Sequence, residues 1–306
     1  MIIDIPTQTE FHTAGLNQLL LAWEIVMQVV EDYDEIARVK IEDETSEQVE
    51  AAKDIYWRRS QPVLANAYSL IQHGMELALK GLIAKVSPLI LIGDPSEWSK
   101  RAGNSTISFG EFRTLDAVDL VNVHNSMIEP GFDNHFKTFW EGVRRNRNKI
   151  MHSSAPGSFD PGSLIRTILT AVKYLFNDEP WPAKLLKAVQ EGRRTAFGDI
   201  DYAINIVAQQ INQSIEHLDT AEVREFFGYD KKRRPYLCPF CYNASNKDFS
   251  ELPHLAQFPT KEPGETLLSC VVCKKNTEVE RIDCQYEDCR GNVIASDTCL
   301  TCDGTQ

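Results

Sequence analysis

Eight cysteines stand in four pairs between residues 238 and 302, and none precedes them. The pairs are Cys238-Pro-Phe-Cys241, Cys270-Val-Val-Cys273, Cys284 and Cys289 with four residues between them, and Cys299-Leu-Thr-Cys302. Two residues between cysteines let both sulfurs reach one tetrahedral ion, and two such knuckles close a structural site. Eight ligands make two complete four-cysteine sites, hence two structural Zn²⁺ per chain with no thiol left over. Sequential pairing groups Cys238, Cys241, Cys270 and Cys273, then Cys284, Cys289, Cys299 and Cys302; an interleaved arrangement satisfies the same spacing. Four disulfides would need an oxidising compartment. Redox catalysis would need a thioredoxin-like βαβ context that no pair has.

A second set of reactive residue types lies in Val143-Arg144-Arg145-Asn146-Arg147-Asn148-Lys149-Ile150-Met151-His152. On a helical wheel Phe136, Phe139, Trp140, Val143 and Ile150 share a face, and Arg147 falls inside that apolar stripe. An unpaired guanidinium in a dry core costs several kcal/mol, so Arg147 is expected to meet a partner, an anion or the mouth of a cleft. Glu141, Arg145, Asn148 and His152 line the opposite face. As a plain structural feature this is a basic patch at a helix C-terminus, where the macrodipole favours cations. As chemistry, Arg, Asn and His together supply a phosphate clamp, an orienting amide and a proton carrier that titrates near neutrality.

The run Arg147-Asn148-Lys149-Ile150-Met151-His152 resembles the arginine, polar residue and spaced histidine that mark the HEPN superfamily of small helical ribonucleases. Arg145-Asn146 with His152 fits the longer spacing of the same motif. Upstream, Tyr68 to Lys80, with Glu76 and Lys80, resembles that family's helix of small, Glu and Lys positions; downstream, Asp160-Pro161 opens an apolar helix as in the family. The likeness spans roughly residues 55–178. It implies a HEPN-like antiparallel helical bundle and an endoribonuclease whose catalytic step needs no metal, assembled across a homodimer. Arg147 or Arg145 would hold the phosphate, Asn148 would orient, and His152 would move protons. Glu76 and Asn146 would support them, with Arg144 and Lys149 as further RNA contacts. It also implies a toxin or antiviral-defence role restrained by an antitoxin, sensor or other protein partner. The same residues would serve a non-catalytic nucleotide- or RNA-binding domain. The cysteine region resembles tandem zinc ribbons; it has too little core to fold unaided, so metal would supply its folding free energy. A protein-interaction adaptor is the alternative role for that module.

The elements that must position these residues are mostly helical. Leu16, Leu20, Trp23, Met27 and Val30 recur at steps of three and four, predicting a helix over residues 11–40. An acidic connection is expected from Glu42 to Glu50. Ser60 is expected to cap a second helix with Pro62 in its first turn, burying Val63, Ala67, Leu70, Ile71, Ala78 and Leu82. Glu76 and Lys80, four apart on it, would form a surface pair. A short helix is expected around Asp116 to Val123. Longer ones follow over Phe132 to Met151 and, after the Asp160-Pro161 cap, to Phe176. More helix is expected over 183–227, and Lys231-Lys232-Arg233-Arg234-Pro235 reads as a basic linker.

The resulting organisation is a mostly α chain with a small metal-stabilised, β-rich tail. Residues 1–54 form an N-terminal helix and connection, 55–180 the HEPN-like domain, 181–234 a helical extension and linker, and 235–306 the two-site zinc-binding module. The net charge of −12 disfavours a protein that coats nucleic acid by bulk attraction. Residues 235–306 carry six basic and eleven acidic residues, so only 231–234 and Lys274-Lys275 offer a cationic grip there. The first basic residue is Arg38, leaving no positive n-region for a signal peptide. No run approaches the roughly 20 apolar residues that span a bilayer. A cytoplasmic protein with no membrane partner is expected.

Overall fold

The computed structural model describes residues 1–40, 45–94, 96, 106–152, 158–198, 200–262 and 264–306. Gly103, Pro95 and the first residues of the expected acidic connection lie outside them. The chain divides into two compact units, Met1–Phe176 and Asn177–Gln306. It is mostly helical, with small sheets and two cysteine clusters near its C-terminus.

The first unit is built around an antiparallel pair, α1 (Gln8–Lys40) and α2 (Ser46–Ala84). The α1 stripe that faces inward is Leu19, Ala22, Trp23, Val26, Met27 and Val30. By length and composition α1 could cross a bilayer; in this unit that stripe is packed instead. The two backbones approach closely at Gly15 and Gly74. A Cβ added at Gly15 would stand 2.7 Å from the Gly74 carbonyl oxygen, and one at Gly74 would stand 2.8 Å from that of Gly15. Glycine is required at both, because any side chain would push the helices apart.

α2 departs from expectation at its start. It begins fourteen residues before Ser60, and Thr45 caps it with Gln48 in a reciprocal capping box. Pro62 lies inside the helix, where it removes one backbone donor. Neighbouring side chains occupy carbonyls of that turn: Ser60 Oγ donates to Tyr56 O and Gln61 Nε2 to Trp57 O. Ser60 is therefore a buried mid-helix residue rather than a cap. Val63 is 44% exposed, and Leu64, Ile71, Met75, Leu79 and Ile83 form the buried stripe in its place. Of the expected stripe, Ala67, Ile71 and Ala78 are buried and Leu70 and Leu82 half-buried, so only Val63 departs from it.

Around α2 pack α3 (Leu120–Met127), α4 (Asn134–His152) and α5 (Pro161–Leu175). Asp160 caps α5 as expected, its carboxylate accepting from Ser163 N at 2.9 Å, with Pro161 in the first turn. β1 (Ile2–Ile3) and β2 (Ile107–Ser108) form a short parallel pair.

In the second unit α6 (Trp181–Gln190), α7 (Ala203–Glu216) and α8 (Thr220–Phe227) precede the cysteine region. That region holds a short helix, α9 (Pro239–Ala244), and an antiparallel sheet of β3 (Ala256–Gln257), β4 (Leu267–Cys270) and β5 (Asn276–Glu278). A hairpin of β6 (Ile294–Ala295) and β7 (Thr298–Cys299) completes it. Asn205, fully buried on α7, ties the helices to this region. Its Nδ2 donates to the carbonyls of Asn246 and Ser250, and its Oδ1 accepts from Asn246 N. The run 231–234 is a packed turn: Lys231 Nζ donates to Ile215 O and Leu218 O at the end of α7, and Arg233 Nη1 to Phe258 O and Pro259 O. With Arg234 Nη1 donating to Arg290 O at 3.5 Å, three of its four cations serve as ties between segments.

Candidate functional site

The eight cysteines converge in two groups of four, with the sulfurs of each group all within 4.8 Å of one another. The groups are Cys238, Cys241, Cys270, Cys273 and Cys284, Cys289, Cys299, Cys302, which is sequential pairing. The interleaved alternative fails because β4 carries Cys270 to the end of the sheet beside Cys241, with the two Sγ atoms 3.7 Å apart. Cys238 and Cys273 are also 3.7 Å apart; in the second group Cys284–Cys302 and Cys289–Cys299 are 3.8 and 3.9 Å. A disulfide would require about 2.05 Å. Four sulfurs about 2.3 Å from a tetrahedral ion stand about 3.8 Å from each other, so the spacing is compatible with structural zinc.

The local backbone explains why the thiols gather. Cys270 to Lys275 and Cys299 to Gly304 make the same turn. The first cysteine's N–H donates to the carbonyl five residues on, and its own carbonyl accepts from the residue four on. Lys274 and Asp303 follow the second cysteine of each turn in left-handed conformation, at φ 57° and 52°. Backbone N–H groups point at sulfur, from Val272 to Cys270 and from Gly291 to Cys289, both at 3.3 Å. Such donors favour thiolate ligands and orient them. In the first group hydrogen bonding with Cys238, then with the other thiols, pulls Cys273 well below the ordinary thiol range. Hydrogen bonding with Cys238 leads the effects that push Cys241 and Cys270 up. Cys238 is drawn down as well, and four thiolates at this spacing repel one another unless a cation lies between them. The groups differ in burial: Cys238, Cys241 and Cys270 are at most 3% exposed, whereas Cys302 is exposed and Cys284 and Cys289 half-buried.

The polar run of the first unit occupies the end of α4, which is helical through His152 without interruption. Asp133 accepts from Phe136 N to start the helix, and Trp140 Nε1 donates to Ala117 O. Phe136, Trp140 and Val143 are buried, but full burial ends there. Arg147 is only half-buried, and among the described residues no carboxylate or carbonyl pairs with it. Beyond Val143 the stripe is only partly covered, Arg147 and Ile150 both being half-buried. In an unbroken helix Arg147 and His152 point about 140° apart, whereas Arg145, Asn148 and His152 align at steps of three and four. All three are exposed.

Arg144, Arg145 and Asn148 line a cavity of about 370 Å³ together with Trp140, Lys137 and Glu141. Lys137 belongs to no motif in the sequence, although Lys137, Glu141 and Arg145 repeat every fourth residue. Lys149 is exposed. Asn146 Nδ2 donates to Tyr68 Oη at 3.2 Å, and Tyr68 is buried, with burial pushing its phenol upward. Asn146 thus joins α4 to α2. Glu76 is not with this cluster. It lies eight residues, about 12 Å, along α2 from Tyr68, bonded to Lys80 Nζ at 2.8 Å and to Gln72 Nε2. Lys80 also donates to Thr114 Oγ1. Burial pushes the Glu76 carboxyl up, but Lys80 and Gln72 outweigh it and leave it below its ordinary value. The expected surface pair is a mostly buried one, with side chains 11% and 23% exposed.

Comparison with protein-family models, curated proteins and solved structures finds no match. The HEPN resemblance therefore rests on the residues of α2, α4 and α5 quoted above.

Proposed function

We propose that the chain is an RNA-cleaving protein carrying two structural Zn²⁺ ions, with its reactive groups at the C-terminal end of α4. The observation that carries this reading is the exposed stripe Arg145, Asn148 and His152 on one helix, two turns from first to last. Arg145 holds the scissile phosphate and offsets the charge of its pentavalent state. The ribose 2′-OH attacks the adjacent phosphorus, the bond to the 5′ oxygen breaks, and a cyclic phosphate and a 5′-hydroxyl result. His152 carries the proton, with Asn148 orienting ring or substrate. One chain supplies one such histidine, so a homodimer that brings two α4 ends together provides both acid and base. Arg147, on another face, contacts RNA or the second copy. A restraining protein partner of the toxin or antiviral-defence kind belongs to the same reading.

The test is incubation of the full chain with labelled RNA beside His152→Ala, Arg145→Ala and Arg147→Ala. His152→Ala should lower the rate by about 10²–10⁴-fold, and Arg145→Ala should cost more than Arg147→Ala. Equal cleavage by all four proteins sinks the proposal.

A second reading has its own support: the cavity beside Arg145 is lined by Arg144, Asn148 and Lys137 but not by His152. A non-catalytic RNA-binding protein would use that cavity alone. It would bind RNA with a dependence on Arg145 and none on His152.

A further inference from the structure

A cavity of about 530 Å³ in the second unit is separate from the α4 stripe and touches the first cysteine cluster only at Cys270. Four cations from four separate segments surround it: Arg224 on α8, Arg233 in the turn after it, Lys261 beyond β3, and Lys274 directly after Cys273. Asp230 is the one carboxylate among its lining residues. Residues 235–306 otherwise carry almost twice as many acidic as basic residues. A net of three positive charges around one concavity is the reverse of that background.

The cations are held in place before any ligand arrives. Asp230 Oδ2 accepts from Arg224 Nη2 at 2.8 Å and stands 3.5 Å from Arg233 Nε. One carboxylate shared by two guanidiniums positions both and neutralises one. Arg233 is further fixed by Phe258 O and Pro259 O, while its Nε is buried without a hydrogen-bond acceptor. Lys274 is aimed by its left-handed backbone in the knuckle, and its Nζ donates to Phe227 O. Lys261 has no acceptor among the described residues. Donors fixed in advance lose little freedom on binding. Guanidinium forks match phosphate oxygens, and the volume lies in the range of small-ligand sites.

We propose that this cavity binds a phosphate ester carrying at least two negative charges, such as a nucleotide. Phe227, Phe258, Pro259 and Val271 form the apolar part of its wall, and Cys270 lines it, so metal in the first cluster would help to organise it. The proposal is independent of RNA cleavage at α4.

Calorimetry on the zinc-loaded full chain would use three probes: pyrophosphate, adenosine triphosphate and uncharged adenosine. Pyrophosphate and the triphosphate should bind one per chain, and adenosine should not. Lys261→Glu should weaken binding at least tenfold with unchanged zinc content and thermal transition, and Arg224→Gln should weaken it several-fold with unchanged zinc content. A triphosphate that binds more tightly than pyrophosphate supports a nucleotide; equal affinity supports the phosphate group alone. Absence of heat at millimolar probe, binding of adenosine as strong as of the triphosphate, or indifference to Lys261→Glu would overturn the proposal. So would loss of binding in Arg145→Ala, which would move the phosphate to α4.

Discussion

The first unit is held by side-chain packing alone, whereas the cysteine region of the second gathers eight sulfurs in two groups compatible with structural zinc. Around α2, a continuous stripe of Leu64, Ile71, Met75, Leu79 and Ile83 is buried against neighbouring helices, and glycines let α1 and α2 touch. In the second unit the strands are only two to four residues long, too short to stand alone. Its helices bury Trp181, Val207, Ile211 and Phe227, but around the short strands metal held by eight sulfurs would supply what so little sheet cannot. The difference teaches where each unit is vulnerable: the first to a change of volume, the second to loss of one ligand atom. The largest effect should therefore come from Cys270→Ser. Binding free energies of structural zinc run to about 10–16 kcal/mol and are folding free energy in small modules. In scanning calorimetry the second unit's transition should vanish while that of the first unit keeps its midpoint. If both transitions move together, the contrast between the units breaks down.

Gly74→Ala strikes the first unit by its own logic. Its Cβ would meet the Gly15 carbonyl, an atom that cannot rotate away, so the helices must separate. Overpacking of this kind typically costs about 1–3 kcal/mol. The first unit's melting midpoint should fall, with two zinc ions per chain still found by elemental analysis. Loss of zinc in this variant would mean that packing in the first unit controls the second.

A smaller effect, dependent on pH, sharpens the same contrast. The Glu76 carboxyl lies below its ordinary value in the folded chain, so the unfolded chain binds its proton first as pH falls. Its contribution is present in full above the ordinary carboxylate range and is lost as pH drops through the lowered folded value. Glu76→Gln should destabilise the first unit by about 1–2 kcal/mol at pH 7, as expected for a hydrogen bond between charged groups. The gap to the unchanged chain should close under acid. A gap that stays constant from pH 7 to pH 3 would show that the Lys80 pair contributes nothing specific.

The metal sites are legible in the sequence because ligand chemistry is local: residue type and spacing nearly define a four-thiolate site. Which knuckles share an ion is not, since that depends on β4 and β5 bringing Cys270 and Cys273 beside Cys238 and Cys241. The Asp160-Pro161 start of α5 is legible for the same local reason. Thr45 with Gln48 carries an equally local capping signal, and it prevails over the one at Ser60-Pro62. Proline normally ends a helix, but packing along α2 outweighs one missing hydrogen bond. The wheel of α4 predicts its buried residues as far as Val143. At Arg147 and Ile150 burial is only partial, because periodicity shows which face points inward, not how far the neighbouring helices cover it. Composition alone makes the basic run 231–234 a linker; it does not show that Lys231 and Arg233 find backbone carbonyls.

The least effect, and the finest division, should come from the second metal cluster. Its sulfurs meet water at Cys302, and Gln306 Nε2 donates to Cys284 Sγ at 3.4 Å as one of the few groups covering it. A chelator reaches an exposed thiolate sooner than a buried one, so metal should leave in two phases, the second cluster first. Gln306→Ala removes one donor to sulfur, and outer-shell losses cost about 10–100-fold in affinity where the site is dry. At this wetter site water replaces the amide, so the fast phase should quicken only a few-fold. The slow phase and both melting transitions should stay as they were. Zinc release monitored with a chromogenic chelator would separate the phases. If Gln306→Ala accelerates the slow phase instead, the two clusters do not differ in the way that their burial requires.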